Sequence, residues 1–196
     1  MAVFAAVVYE RGYAATRLTD VAQRAGVPVS VVIDHWPTEV DWLLETVATS
    51  THQLFAHVAD AFMGIPDDPP RALHQGLAAM LRDMAAAPEM VHLSMVELPS
   101  LGPLVRHRRV RALDLFRAFL DPALAALDEP LPSTDAITLC ITGGLWELIR
   151  RHALERRLHE LPDALPSVSH VLLSTLFGLD EAMRVGALEA PHTGRL

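Results

Sequence analysis

The chain has 196 residues, 51% of them apolar and 20% charged, with a formal net charge of −8. That length suffices for one large core or for a small domain joined to a medium one, and the single cysteine, Cys140, excludes a disulfide framework within one chain. The longest strongly apolar run, Ala136 to Ile149, includes Glu147 and is shorter than the roughly 18 residues of a membrane-spanning candidate, so no transmembrane helix is expected. The apolar opening Met1 to Val8 has no basic n-region, and with one lone thiol the expected address is the reducing cytoplasm. All sixteen cationic residues are arginine. The acidic total does not exclude nucleic acid as a partner, because only the charge on the docking face matters.

Alanine and leucine outnumber the β-branched residues, and no stretch alternates with period two, so the chain reads as all-α. Apolar residues at helical spacing from Val3 to Tyr9 end at Gly12, which suits the residue just past a helix. Thr16 is placed to cap a second helix with Leu18, Val21, Ala22 and Ala25 on its inner face, and Gly26 supplies the tight turn after it. A short third helix from about Val29 to Trp36 must stop at Pro37. Thr38-Glu39-Val40-Asp41 then has the capping-box pattern, opening a long fourth helix that runs to Gly64 and the Pro-rich linker Ile65 to Pro70. Beyond it, helices are expected at about 71–86, 89–98, 103–127, 134–160 and 166–188.

Helix, glycine turn, helix is a pattern shared by an ordinary helical hairpin and a DNA-binding helix-turn-helix; in the second, Val21, Ala22, Val27, Val32 and Trp36 would pack the small core that fixes the third helix on the second. The ordered segments Glu10-Arg11-Gly12-Tyr13-Ala14-Ala15-Thr16, Asp20 to Val27 and His35-Trp36-Pro37-Thr38 resemble the DNA-binding signature of the tetracycline-repressor (TetR) family. Val96-Glu97-Leu98-Pro99, Gly102-Pro103-Leu104 and Leu176-Phe177-Gly178-Leu179 are similar to its C-terminal part. The resemblance implies a three-helix DNA-binding domain over residues 1–48 and a helical ligand-binding and dimerisation domain over 49–196. It also implies a ligand-responsive regulator, a repressor, that binds a double-stranded DNA operator as a homodimer. Thr16, Arg17, Val29, Ser30, Val31, Ile33 and His35 then fall at DNA-facing positions.

Those positions depart from the family's usual residues. Val29, Ser30, Val31, Ile33, Asp34 and Glu39 stand where members commonly carry Lys, Gly, Thr, Tyr, Arg and Lys. Met1 to Ala48 holds three arginines against six acids, and phosphate neutralisation supplies much of duplex affinity. Two readings stay open: an operator-binding regulator, or a ligand- or partner-binding protein on the same fold with weakened or lost operator binding.

In the C-terminal part, Met80, Met84, Met90, Met95, Phe116, Phe119 and Trp146 are core candidates. By the family resemblance, the middle helices enclose a cavity for a small apolar or aromatic effector. Met84, Met95, Phe116, Phe119 and Trp146 would line it, with His92, Thr142 and Glu147 as its polar contacts. Glu89-x-x-His92 has the spacing of a di-iron half-site but has no second copy, so no metal or other cofactor is expected. With no phosphate loop or nucleophile elbow in the chain, no catalytic residue is assigned and the chain is not read as an enzyme. The arginine cluster Arg106 to Arg111 and the pairs Arg150-Arg151 and Arg156-Arg157 read as solvated helix charges.

Overall fold

The computed structural model describes residues 1–102, 120, 121, 124, 127 and 134–189, and among these every regular element is helical. Helices α1 (Ala2–Arg11), α2 (Leu18–Ala25), α3 (Val29–His35) and α4 (Glu39–Met63) follow one another at the N-terminal end. They are followed by α5 (Pro69–Ala86), α6 (Pro88–His92), a π-helical turn Leu93–Glu97 and the short α7 (Leu98–Ser100). The chain closes with α8 (Thr134–Leu154), a 3-10 segment Leu158–Ala164, α9 (Leu165–Phe177) and α10 (Leu179–Glu189). The arginine cluster at 106–111 and the lining candidates Phe116 and Phe119 lie outside the described residues.

Two hydrophobic clusters organise the molecule. The N-terminal one joins Phe4, Val8, Leu18, Val21, Val32, Trp42 and Leu43, and it is closed from below by Leu93 and Leu98. The other joins Met80, Met84 and Met95 to Leu145, Ile149, Leu161, Leu173 and Val185. The segment from Pro88 to Ser100 therefore serves both. Its π turn explains how: an i to i+5 repeat keeps Leu93 and Leu98 on one side, while Val91 and Met95 face the other cluster.

Helix α4 bridges the two clusters, and at 25 residues it spans about 37 Å. Its start is fixed as the sequence indicates. The Thr38 hydroxyl accepts from Asp41 N at 3.2 Å and donates to the Asp41 carboxylate at 2.7 Å. Its far end lies against α5, where a Cβ on Gly76 would sit 3.6 Å from both Val58 Cγ1 and Val58 O, so the missing side chain lets the two backbones approach. Asp68 caps α5 by accepting from Arg71 N, and the same carboxylate takes two bonds from Arg184 of α10, at 2.7 and 2.9 Å. The Arg184 guanidinium holds the Asp68 carboxyl below its usual range. Arg71 Nε donates to Glu189 at 2.8 Å, so α10 is tied to the start of α5 at two points.

Four expectations are corrected here. Thr16 does not cap α2; Arg17 occupies the cap position, and the Asp20 carboxylate accepts from its backbone N. The helix expected at 134–160 stops at Leu154 without a glycine, because Arg156 adopts φ 55°. Arg157 N then donates to His152 O and Arg156 N to Ala153 O, the bond pair of a Schellman motif. The helix expected at 166–188 is two helices, broken at Gly178 with φ 88°. Finally, Val27 lies on the surface instead of in the small core, and Trp36 stacks on that core from outside.

His74 of α5 and Ser169 of α9 form a buried hydrogen-bonded pair, Nδ1 to Oγ 2.7 Å. Burial pushes the His74 imidazole below its usual pKa. As pH falls through about 6.5, the unfolded chain therefore takes up a proton at this position while the native state does not, and folding stability declines. Denaturant midpoints measured from pH 7.5 to 5 test this: the advantage of the wild type over His74→Gln is expected to shrink as pH falls. A constant difference would show that His74 contributes nothing to the pH dependence.

Candidate functional site

The turn between α2 and α3 is closed by Gly26 in the left-handed conformation, φ 68° and ψ 28°, with its N–H directed to Ala22 O and Gln23 O. Val27 N adds a bond to Ala22 O at 3.1 Å. This turn seats α3 with Val32 buried against α2, 3% exposed. At about 100° per residue, Ser30 and Asp34 then lie on the side opposite Val32, with Val31 and Ile33 flanking them. All four are exposed, as is His35, while Val29 is half-buried. His35 Nδ1 lies 3.0 Å from Val31 O within the helix.

Of the other residues assigned to DNA, Arg17 is exposed and Thr16 is not. The Thr16 side chain is fully buried and its hydroxyl donates to Gly12 O at 2.9 Å, which fixes the entry to α2 and removes Thr16 from the contact surface. Arg17 donates through Nη1 to Ala14 O and Thr16 O. Arg24 donates twice to Glu10, whose carboxyl it holds below the usual range. Arg11 lies 3.7 Å from Asp20. Every guanidinium between Met1 and Ala48 thus already faces an acid or a carbonyl.

Between this surface and the C-terminal helices lies a junction that sequence reasoning missed. The Arg156 guanidinium sits 4.3 Å from the centre of the Tyr9 ring and donates to Tyr9 O at 3.0 Å. Tyr9 meets the His92 ring edge-on at 5.2 Å. His92 places Nδ1 3.4 Å from Ala153 O and Nε2 3.6 Å from Glu97. The left-handed Arg156 is held by these contacts, in place of the solvated role read for the Arg156-Arg157 pair; Arg157 does pair on the surface, with Glu160 and Glu155. An isolated tyrosine and a doubled arginine carry no pairing signal in a single sequence.

The effector candidates divide. Met84 and Met95 are buried in one cluster with Trp146 packed against it, and Thr142 is buried on the same helix as Trp146. The Thr142 hydroxyl donates to Thr138 O at 2.7 Å, while Thr138 Oγ1 is buried with no partner among the described residues. Glu147 is corrected: it lies on the outward side of α8, its side chain 60% exposed, and takes two bonds from Arg150. Facing solvent and paired, it does not line an interior cavity.

No family model and no curated protein matches the chain by sequence. Among solved structures it is similar to the fatty acid degradation regulator FadR from Bacillus halodurans, with a TM-score of 0.78 at 17% identity over 89% of this chain and 96% of that one. It is also similar to the TetR family transcriptional regulator PfmR from Thermus thermophilus, with a TM-score of 0.60 at 19% identity over 84% of this chain and 96% of that one. With a helix-turn-helix at one end and helices through the rest of the described residues, the chain has the fold of the TetR family regulators.

Proposed function

We propose that the chain is a DNA-binding transcriptional regulator, a repressor, that acts as a cytoplasmic homodimer and releases its operator when a small apolar or aromatic effector binds. Residues 1–48 are its reading domain and 49–196 its effector and dimer domain. The seating of α3 carries this reading: Val32 is buried against α2, and Ser30, Val31, Ile33 and Asp34 project away from the protein on the opposite side. Likeness to two regulators at high chain coverage supports it. The effector would lie among Met84, Met95, Thr142 and Trp146, and a neighbour described as a regulator of fatty acid degradation supports an apolar one. Effector and DNA would act by population shift, each favouring a different spacing of the two α3 helices. The Tyr9–His92–Arg156 junction would link the two domains. No catalytic residue or cofactor enters this scheme.

One observation favours a second reading, a binding protein of this fold without operator affinity. The three arginines between Met1 and Ala48 already face acids or carbonyls, and the charges of Arg11 and Arg24 are offset by Asp20 and Glu10, which weakens their pull on phosphate. A salt-titrated binding assay on DNA flanking the protein's own gene separates the two. A saturable, sequence-dependent shift at low salt is expected, strengthened several-fold by Glu39→Lys through one added phosphate contact. Absence of any shift at low salt, in wild type and variant alike, would leave the second reading.

A further inference from the structure

We infer that the outward face of α3 reads a pyrimidine pattern in the major groove, with Asp34 accepting from a cytosine amino group between thymine methyls held by Val31 and Ile33. This rests on the DNA-binding reading above and specifies the bases it would select. The geometry supplies a polar centre with apolar flanks. Ser30 and Asp34 are one turn apart opposite the buried Val32, and Val31 and Ile33, each 46% exposed, stand on either side.

The major-groove edges decide which bases suit that face. Guanine presents only acceptors, N7 and O6, and needs a donor such as a free guanidinium. The arginines of this end are directed elsewhere, Arg17 through Nη1 to Ala14 O and Thr16 O and Arg11 and Arg24 toward Asp20 and Glu10, and the α3 face itself carries the Asp34 carboxylate at its centre. The Asp34 carboxylate, an acceptor only, is repelled by N7 and O6. Adenine offers its N6 amine beside the N7 acceptor, whereas cytosine offers N4 with no acceptor next to it, so cytosine fits a carboxylate best. Two exposed β-branched side chains at the flanks match the thymine C5 methyl, the one apolar group on these edges. Because few cations are free to neutralise phosphate, base contacts dominate, and the dependence of affinity on salt is shallow.

The test uses the full chain and a random-sequence duplex library, selected at low salt. Affinity is then measured on the enriched duplex with each thymine replaced in turn by deoxyuridine, which removes only the methyl. Loss of about fourfold per contacted methyl is expected, and Ile33→Ala should abolish the loss at one position. Asp34→Asn should move one selected base from cytosine to adenine, because an amide pairs with adenine N6 and N7 together. All these side chains are exposed, and circular dichroism is the control that each variant keeps the helicity of the wild type. An enriched duplex indifferent to deoxyuridine and to both substitutions overturns the inference while leaving DNA binding intact. A selection that enriches nothing overturns the DNA-binding reading, and this inference with it.

Discussion

Trp42→Ala is expected to melt the N-terminal helices α1 to α3 and the cluster they form while the second hydrophobic cluster stays folded. Trp42 is 4% exposed and lies between two rings: it stacks on Phe4 at 5.0 Å and on Trp36 at 4.6 Å, nearly parallel in both cases. Truncating a buried tryptophan costs about 3–5 kcal/mol, and each lost ring pair adds about 0.5–1.5 kcal/mol. That sum is large beside the total stability of a small domain, about 5–15 kcal/mol. The three rings come from α1, the end of α3 and the start of α4, so their loss frees α3 from the helix that anchors it. Hydrogen exchange should show protection falling across residues 2–47 and persisting in α5 and α9. On the proposed function, DNA binding should be lost with it. Trp42→Phe is the control: the Trp42 Nε1 is buried with no acceptor among the described residues, so phenylalanine forfeits no hydrogen bond and keeps an aromatic face. Full protection and unchanged DNA affinity in Trp42→Ala would show that the stack does not hold the domain together.

The boundaries that sequence places well are those set by local chemistry. Gly26 takes the left-handed turn, and Thr38 forms its reciprocal bonds with Asp41, because both depend on residues within one turn of the chain. The boundaries that sequence misplaces depend on distant partners. Arg156 ends α8 in a conformation that costs a non-glycine residue energy, and Tyr9, far away in sequence, holds it there. Apolar periodicity runs through Gly178 because α9 and α10 both pack against the same cluster, through Leu173 and Leu176 on one and Ala182 and Val185 on the other. Thr16 has the residue type of a cap, but its hydroxyl donates back to Gly12 O, and α2 starts one residue later, with Arg17 at the cap position and Asp20 accepting from Arg17 N.

The candidate site divides in the same way. The exposed residues of α3 follow from the phase of a short helix next to a glycine turn. Glu147 does not follow, because a carboxylate in an apolar run can lie either side of the helix, and the partner that decides it, Arg150, sits one turn on. The junction of Tyr9, His92 and Arg156 assembles three elements that no spacing rule connects.

For the homodimer proposed above, Val171→Glu is expected to convert it to monomers, and Leu139→Glu to do the same from α8. An obligate dimer interface of this fold type buries about 2,000 Å² or more of mainly apolar surface, and the outward faces of the last helices offer candidates. Leu139 is 63% and Val171 62% exposed, large apolar side chains left in water by the single chain. On α8, a Cβ added at Gly143 or Gly144 would meet nothing within 4 Å among the described residues, so none of their contacts calls for glycine at either position. The same gap lets a partner's helix come close. Leu172 and Leu176 of the same helix as Val171 are instead buried in the subunit's own cluster, at 6% and 4% exposure. Charge there would unfold the chain and report nothing about assembly. At Val171 the folded subunit tolerates a carboxylate, because the position faces solvent. In a two-fold interface each such change places two unpaired charges in an apolar contact, and an uncompensated buried charge costs about 3–5 kcal/mol. The dimer dissociation constant should therefore rise on the order of 100-fold or more. Sedimentation should show the wild type at twice 21.5 kDa and the variant at 21.5 kDa, with unchanged helicity. Because a two-fold protein grips two operator half-sites at once, the monomeric variant should also bind a full operator no more tightly than a single half-site. If Val171→Glu and Leu139→Glu both sediment as the wild type does, the subunits meet elsewhere, and the spacing of the two α3 helices cannot be set through these faces.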